Sequence, residues 1–111
     1  MHQRCTMITN TPSPPYFAVI FTSVLDEEPQ NYSETADLMV SLASEQEGFL
    51  GIESARNEVG STVSYWRDLD TIKTWKAQTD HQVAQQKGRA DWYTRYSVRI
   101  AKVERDYHFE R

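Results

Sequence analysis

Residues 16–24, YFAVIFTSV, constrain this chain more than any other stretch. β-Branched and aromatic residues of this kind favour a strand, and no polar alternation interrupts them before Thr22. A strand that is apolar on both faces needs both faces covered. A chain of 111 residues reads as one globular domain with a single core. One layer of helices then covers one face of a sheet, and the opposite face has to find its cover elsewhere.

The remaining elements follow from periodicity. In NYSETADLMVSLASEQEG, Tyr32, Ala36, Met39, Val40 and Ala43 recur at three- and four-residue steps, which predicts an amphipathic helix closed near Gly48. FLGIESARN and STVSYWRDL read as an antiparallel hairpin turning at Glu58, Val59 and Gly60. Asp68 or Asp70 can cap the next helix, with Ile72 and Trp75 facing inward. Asp80 can cap a second helical segment that carries Val83, Ala84 and, beyond Gly88, Trp92, so this helix is expected to be broken. YSVRIAKVERDYHF alternates as a long last strand.

The order β-α-β-β-α-β defines an α+β, ferredoxin-like subunit: a four-stranded antiparallel sheet with both helices on one face. Apolar residues of both parities in Phe17 to Phe21 and Phe49 to Ile52 make the uncovered face apolar as well, a patch larger than a monomer tolerates. A second copy, packed sheet on sheet about a twofold axis, removes it. The expected organisation is a flexible N-terminal arm over residues 1–15, where TNTPSPP lacks amide donors, and a single domain over 16–111.

Composition closes several alternatives. A net charge of -4 with interspersed signs argues against nucleic acid, which requires a clustered basic face. No apolar run approaches the roughly 20 residues that span a membrane, and MHQRCTMITNTPSPP has no apolar core of a signal peptide, so a cytoplasmic protein is expected. Cys5 is the single cysteine and is read as an exposed thiol. His2, His81 and His108 are too widely spaced for a metal set, and no glycine-rich phosphate loop follows a strand. No metal or cofactor is therefore expected.

Residues 64–93 hold all three tryptophans, Trp66, Trp75 and Trp92, around His81. Indoles are ordinary core filling. They also suit a flat pocket for an aromatic ligand, and Tyr65, Tyr93 and Tyr96 add polar handles in the same region. Arg99 is a fixed cation able to hold a phenolate or carboxylate. His81 is the candidate proton acceptor, because imidazole titrates near neutral pH. Arg67, Arg89, Arg95 and Arg99 otherwise read as solvated, or paired with Glu53, Asp91 or Glu104.

EGFLGIES at 47–54, VSYWRDLDTIKTWK at 63–76 and DHQVAQQKGRADWY at 80–93 resemble the antibiotic biosynthesis monooxygenase family, over roughly Tyr16 to Tyr107. That resemblance implies a dimeric α/β barrel of ferredoxin-like subunits and a cofactor-independent monooxygenase acting with dioxygen on a phenol or quinol-type molecule. Its substrate would lie under Trp66, Trp75 and Trp92, near Tyr65, Tyr96 and Arg99, with His81 as base. A dimeric small-molecule-binding module without catalysis is the alternative. Haem-degrading relatives form a third reading. Trp75 matches their helix tryptophan, but Gln85 stands where their ligand histidine would be, and YFAVIFTS has no asparagine.

Overall fold

The structure, a computed structural model, describes residues 8–26, 32–86 and 92–111, without the side chains of 32–35 and 81–86. Its elements are β1 (Tyr16–Leu25), α1 (Tyr32–Ser44), β2 (Phe49–Arg56), β3 (Gly60–Trp66), α2 (Leu69–Gln86) and β4 (Tyr93–Val103). The strands form one antiparallel sheet in the order β2-β3-β1-β4. The expected β-α-β-β-α-β plan is therefore present. Cys5, Arg89 and Asp91 lie outside the described residues.

The register assigns every strand residue to a face. Phe17 pairs with Trp66 and Lys102, Val19 with Ser64 and Ile100, Phe21 with Thr62 and Val98, and Ser23 with Gly60 and Tyr96. Directly paired side chains share a face, so the odd-numbered residues of β1 lie on one side. The core identifies that side. Ala43 from α1 and Ile72 from α2 close on Trp66, with Phe17, Val19, Phe49 and Trp75 packed around them. The even-numbered residues lie on the side away from this core: Ala18 beside Tyr65 and Ala101, and Ile20 beside Val63 and Arg99. The doubly apolar first strand thus divides as its sequence requires, Phe17, Val19 and Phe21 towards the helices and Ala18 and Ile20 towards the open face.

Helix α2 corrects one expectation. Asp80 caps no second segment, because α2 continues without a break from Leu69 to Gln86. Asp80 sits inside it, and its carboxylate accepts from Lys76 Nζ at 2.8 Å, one turn earlier. An i,i+4 pair of this kind offsets the poor intrinsic helix propensity of aspartate. The cap is Asp68, whose Oδ1 accepts from the Thr71 amide at 2.9 Å. That bond holds the Asp68 carboxyl below its usual range, with Arg67 adding to the effect.

The chain before β1 crosses the open face. Thr9 donates its amide to Glu53 Oε2 at 2.9 Å and its hydroxyl to the Ile52 carbonyl at 3.1 Å. Thr11 Oγ1 bonds the Tyr16 hydroxyl at 3.0 Å, and Tyr16 donates to Asp106 in the segment after β4.

Candidate functional site

The helix face holds two aromatic groups with a floor between them. At one end Trp66, fully buried, stacks on Trp75 with ring centroids 6.1 Å apart and meets the edge of Phe49 at 5.4 Å. Its indole Nε1 donates to Ser64 Oγ at 2.9 Å, satisfying the one polar atom that burial would orphan. At the other end Phe21, Tyr93 and Tyr96 pack with centroids 5.4 to 5.7 Å apart, and Trp92 meets the edge of Tyr93 at 6.3 Å. Such offset and edge-on contacts are the favoured aromatic geometries.

Between these ends the floor is apolar and open. Val98 and Ile100, paired with Phe21 and Val19 and hence on the helix face, keep 48% and 50% of their surface exposed. α2 covers the β3 side of the sheet through Ile72 and Trp75 and leaves this β4 strip uncovered.

Two polar features border the floor. Arg56 reaches across β3 to donate to the hydroxyl and carbonyl oxygen of Ser23, which is buried. The path runs directly over Gly60, where an added Cβ would clash with the Arg56 guanidinium group. Thr79 is the second. Helical phase of about 100° per residue sets Thr79 within about 40° of Trp75 on the face that also carries Ile72, and its hydroxyl is buried with no hydrogen-bond partner among the described residues. A buried hydroxyl left in this state destabilises the fold and calls for an explanation.

The sequence-predicted site residues separate. Trp66, Trp75, Trp92 and Tyr96 lie along the helix face, but the tryptophans divide between its two ends instead of forming one box. Tyr65 and Arg99 lie on the opposite face of the sheet, paired with Ala18 and Ile20. They cannot touch a ligand held under Trp75. Position 81 is in α2, about 120° around the axis from Trp75, and the His81 side chain is outside the described residues. Val98, Ile100, Thr79 and Arg56 were missed. The first two were readable from their shared parity with Tyr96, and Thr79 from its place one turn beyond Trp75.

Tyr65 has a separate role on the open face. Its hydroxyl donates to Glu53 Oε1 at 2.8 Å, and its ring meets Tyr16 edge-on at 5.8 Å. Burial, then the Glu53 carboxylate, pushes its pKa up to about 12. The folded value exceeds the unfolded value of about 10, so the stabilisation is complete below pH ~10 and is lost as pH rises through about 12. Ultraviolet titration of tyrosinate absorbance should show a late ionisation, to which Tyr16, raised by burial and by its bond to Asp106, also contributes, and Tyr65→Phe should remove part of that late step. A late step unchanged in Tyr65→Phe would assign it to another tyrosine.

Comparison with known proteins places the fold in a class. The fold matches that of SnoaB, a cofactor-independent oxygenase from Streptomyces nogalater, with a TM-score of 0.67 at 10% identity over 82% of this chain and 95% of that one. It also matches a candidate antibiotic biosynthesis monooxygenase from Nitrosomonas europaea, with a TM-score of 0.63 at 12% identity over 88% and 96% of the two chains. The fold is thus the ferredoxin-like fold of the antibiotic biosynthesis monooxygenases. No family profile matches the chain. The sequence is 52% identical over 105 residues to the uncharacterized protein YqjZ of Bacillus subtilis, covering 93% of this chain and 92% of that protein. The chain belongs to the YqjZ family. No helix among the described residues is long and apolar enough to cross a membrane.

Proposed function

We propose that the chain is a cofactor-independent monooxygenase that acts with dioxygen on an electron-rich phenol or quinol, and that it works as a homodimer joined through the open sheet face. The observation that carries the reading is the half-exposed strip of Val98 and Ile100, lying between the Trp66–Trp75 stack and the Phe21–Tyr93–Tyr96 cluster. A flat aromatic ring fits an apolar floor with aromatic ends. The fold shared with SnoaB supports the reaction class.

The protein supplies desolvation, orientation and proton transfer. His81, or a water it holds, takes the phenolic proton. The electron-rich anion then reacts with dioxygen. Phenol plus dioxygen gives quinone plus water, so the substrate itself provides the electrons and no external reductant enters.

Oxygen uptake with a panel of phenols and dihydroquinones tests the reading. Wild-type protein should consume oxygen with at least one of them, and His81→Ala should lower that rate by about 10²–10⁴-fold, the usual range for a lost general base. Thr79→Val should unfold at the same or a higher temperature, since it removes an unsatisfied buried hydroxyl. Retention of an aromatic ligand without oxygen uptake would favour a binding module. A turnover rate untouched by His81→Ala would remove His81 from the mechanism.

A further inference from the structure

Tyr65 and Trp66 are neighbours in β3 and stand on opposite faces of the sheet. Each touches a second large aromatic on its own side. On the helix face Trp66 stacks on the half-buried Trp75, with centroids 6.1 Å apart and ring planes inclined by 26°. On the open face Tyr65 meets Tyr16 edge-on at 5.8 Å. Four rings, Trp75, Trp66, Tyr65 and Tyr16, thus run in series from one side of the sheet to the other.

Indole and phenol are the side chains most readily oxidised by one electron, apart from those containing sulfur. A phenol gives up its electron only if its proton leaves with it, because the phenol radical cation is a very strong acid. Both tyrosines hold a proton acceptor in place: Tyr65 donates to Glu53 Oε1 at 2.8 Å, and Tyr16 donates to Asp106. Trp66 faces no such base. Its Nε1 donates to the Ser64 hydroxyl, so the indole proton stays on nitrogen when an electron leaves. The series therefore has a direction, with the radical settling at the tyrosine end. We propose that Trp75, Trp66, Tyr65 and Tyr16 form a radical-transfer path that carries an oxidising equivalent from the helix face, through the sheet, to the open face.

The source of that equivalent rests on the reaction proposed above. An organic peroxyl radical, left when a substrate radical binds dioxygen without completing the reaction, takes one electron from Trp75 and one proton from solvent and becomes a hydroperoxide. Trp66 returns an electron to Trp75 and holds the hole as an indole radical cation. Tyr65 then passes its electron to Trp66 and its proton to Glu53. Tyr16 restores Tyr65 with an electron, Glu53 returns the proton to Tyr65, and the Tyr16 proton moves to Asp106. A soluble thiolate finally reduces the Tyr16 radical, Asp106 gives the proton back, and a thiyl radical leaves. The sum is peroxyl radical, thiolate and one proton going to hydroperoxide and thiyl radical. The aromatic floor is thereby cleared of an oxidant that would otherwise attack its own rings.

Pulse radiolysis of the full chain tests the path without any substrate. The probe is the azide radical, a one-electron oxidant that attacks indole faster than neutral phenol. Trp92→Phe with Tyr107→Phe is the background, which removes the indole outside the stack and the exposed phenol of the last segment. Indolyl absorbance should decay as tyrosyl absorbance grows, at a rate independent of protein concentration. Tyr65→Phe should slow this conversion about tenfold or more. Glu53→Gln keeps the Tyr65 ring and removes its proton acceptor, so it should slow the conversion several-fold and raise the solvent deuterium isotope effect, which a purely structural role would not do. Tyr16→Phe should leave the conversion intact and shift the lasting oxidation, located by peptide mass spectrometry, to Tyr65. Tyr96→Phe should leave the rate unchanged. A conversion equally fast in Tyr65→Phe, one lost in Tyr96→Phe instead, or one that scales with protein concentration would overturn the path. Absence of oxygen uptake with phenols would remove the reaction proposed above and the peroxyl source, while the path itself stands or falls on the radiolysis.

Discussion

Trp66→Ala is expected to lose about 3–5 kcal/mol of stability, the range for truncating a large buried aromatic. Small domains hold only about 5–15 kcal/mol in total, so the variant should sit at or near the folding threshold. The cause is position. Trp66 is fully buried at the end of β3 and touches the core residues of both helices, Ala43 and Ile72. It stacks on Trp75 and receives the edge of Phe49. Its removal opens a cavity where sheet and helices join and leaves Ser64 without its indole donor. Trp75→Ala provides the contrast. Trp75 lies at the margin of the core and is only half-buried, so its truncation should cost roughly half as much. Urea unfolding followed by far-ultraviolet circular dichroism measures both. Equal midpoints for the two variants would contradict the placement of Trp66 at the centre of the core.

The contrast between these two indoles also shows what the sequence could and could not express. Strand identity and sheet order were legible because residues 16–21 have no polar alternation and because hairpin and helix patterns follow in a short, ordered series. The assignment of faces was legible in principle. Tyr65 precedes Trp66 directly, and Arg99 stands an odd number of residues from Tyr96 in one strand, so neither can share the face of its neighbour. Grouping these residues by closeness in sequence overlooked that rule. The continuity of α2 was not legible in the same way. Asp80 followed by a histidine resembles a cap, and only the Lys76 ammonium 2.8 Å away explains how that aspartate remains inside a helix. The exposed strip on β4 was hidden for another reason. Alternation gives the face of Val98 and Ile100, but where helix coverage stops depends on how α2 crosses the sheet, and that crossing is a tertiary property. The arginine at position 99 shows the same division. Its face follows from parity, whereas its lack of a partner among the described residues emerges only from the folded arrangement.

The crossing of α2 is itself fixed at a small joint, and disturbing that joint should have the second large effect. Gly48, in the turn between α1 and β2, has φ of 87°, a conformation that costs about 1–2 kcal/mol for a residue with a Cβ. Its carbonyl accepts from the Arg67 amide at 2.7 Å, tying this turn to the end of β3. An added Cβ would lie 2.5 Å from Thr71 Cγ2, 2.7 Å from Oγ1 and 2.8 Å from Cβ. Thr71 cannot easily yield, because its amide bonds Asp68 Oδ1 and its hydroxyl bonds the Asp68 carbonyl, both at 2.9 Å. The first turn of α2 would have to move, carrying Ile72 and the Trp66–Trp75 stack with it. Gly48→Ala is therefore expected to destabilise by about 2–4 kcal/mol, the conformational term plus the clash. A double-mutant cycle separates the two. Thr71→Ala alone should cost about 1 kcal/mol through its lost hydroxyl bond, and the double variant should be more stable than the sum of the single losses predicts. The conformational part should persist in the double variant, since trimming Thr71 leaves the φ of residue 48 unchanged. Strictly additive losses in urea unfolding would mean that the two side chains do not meet, and that the start of α2 is positioned by something other than this contact.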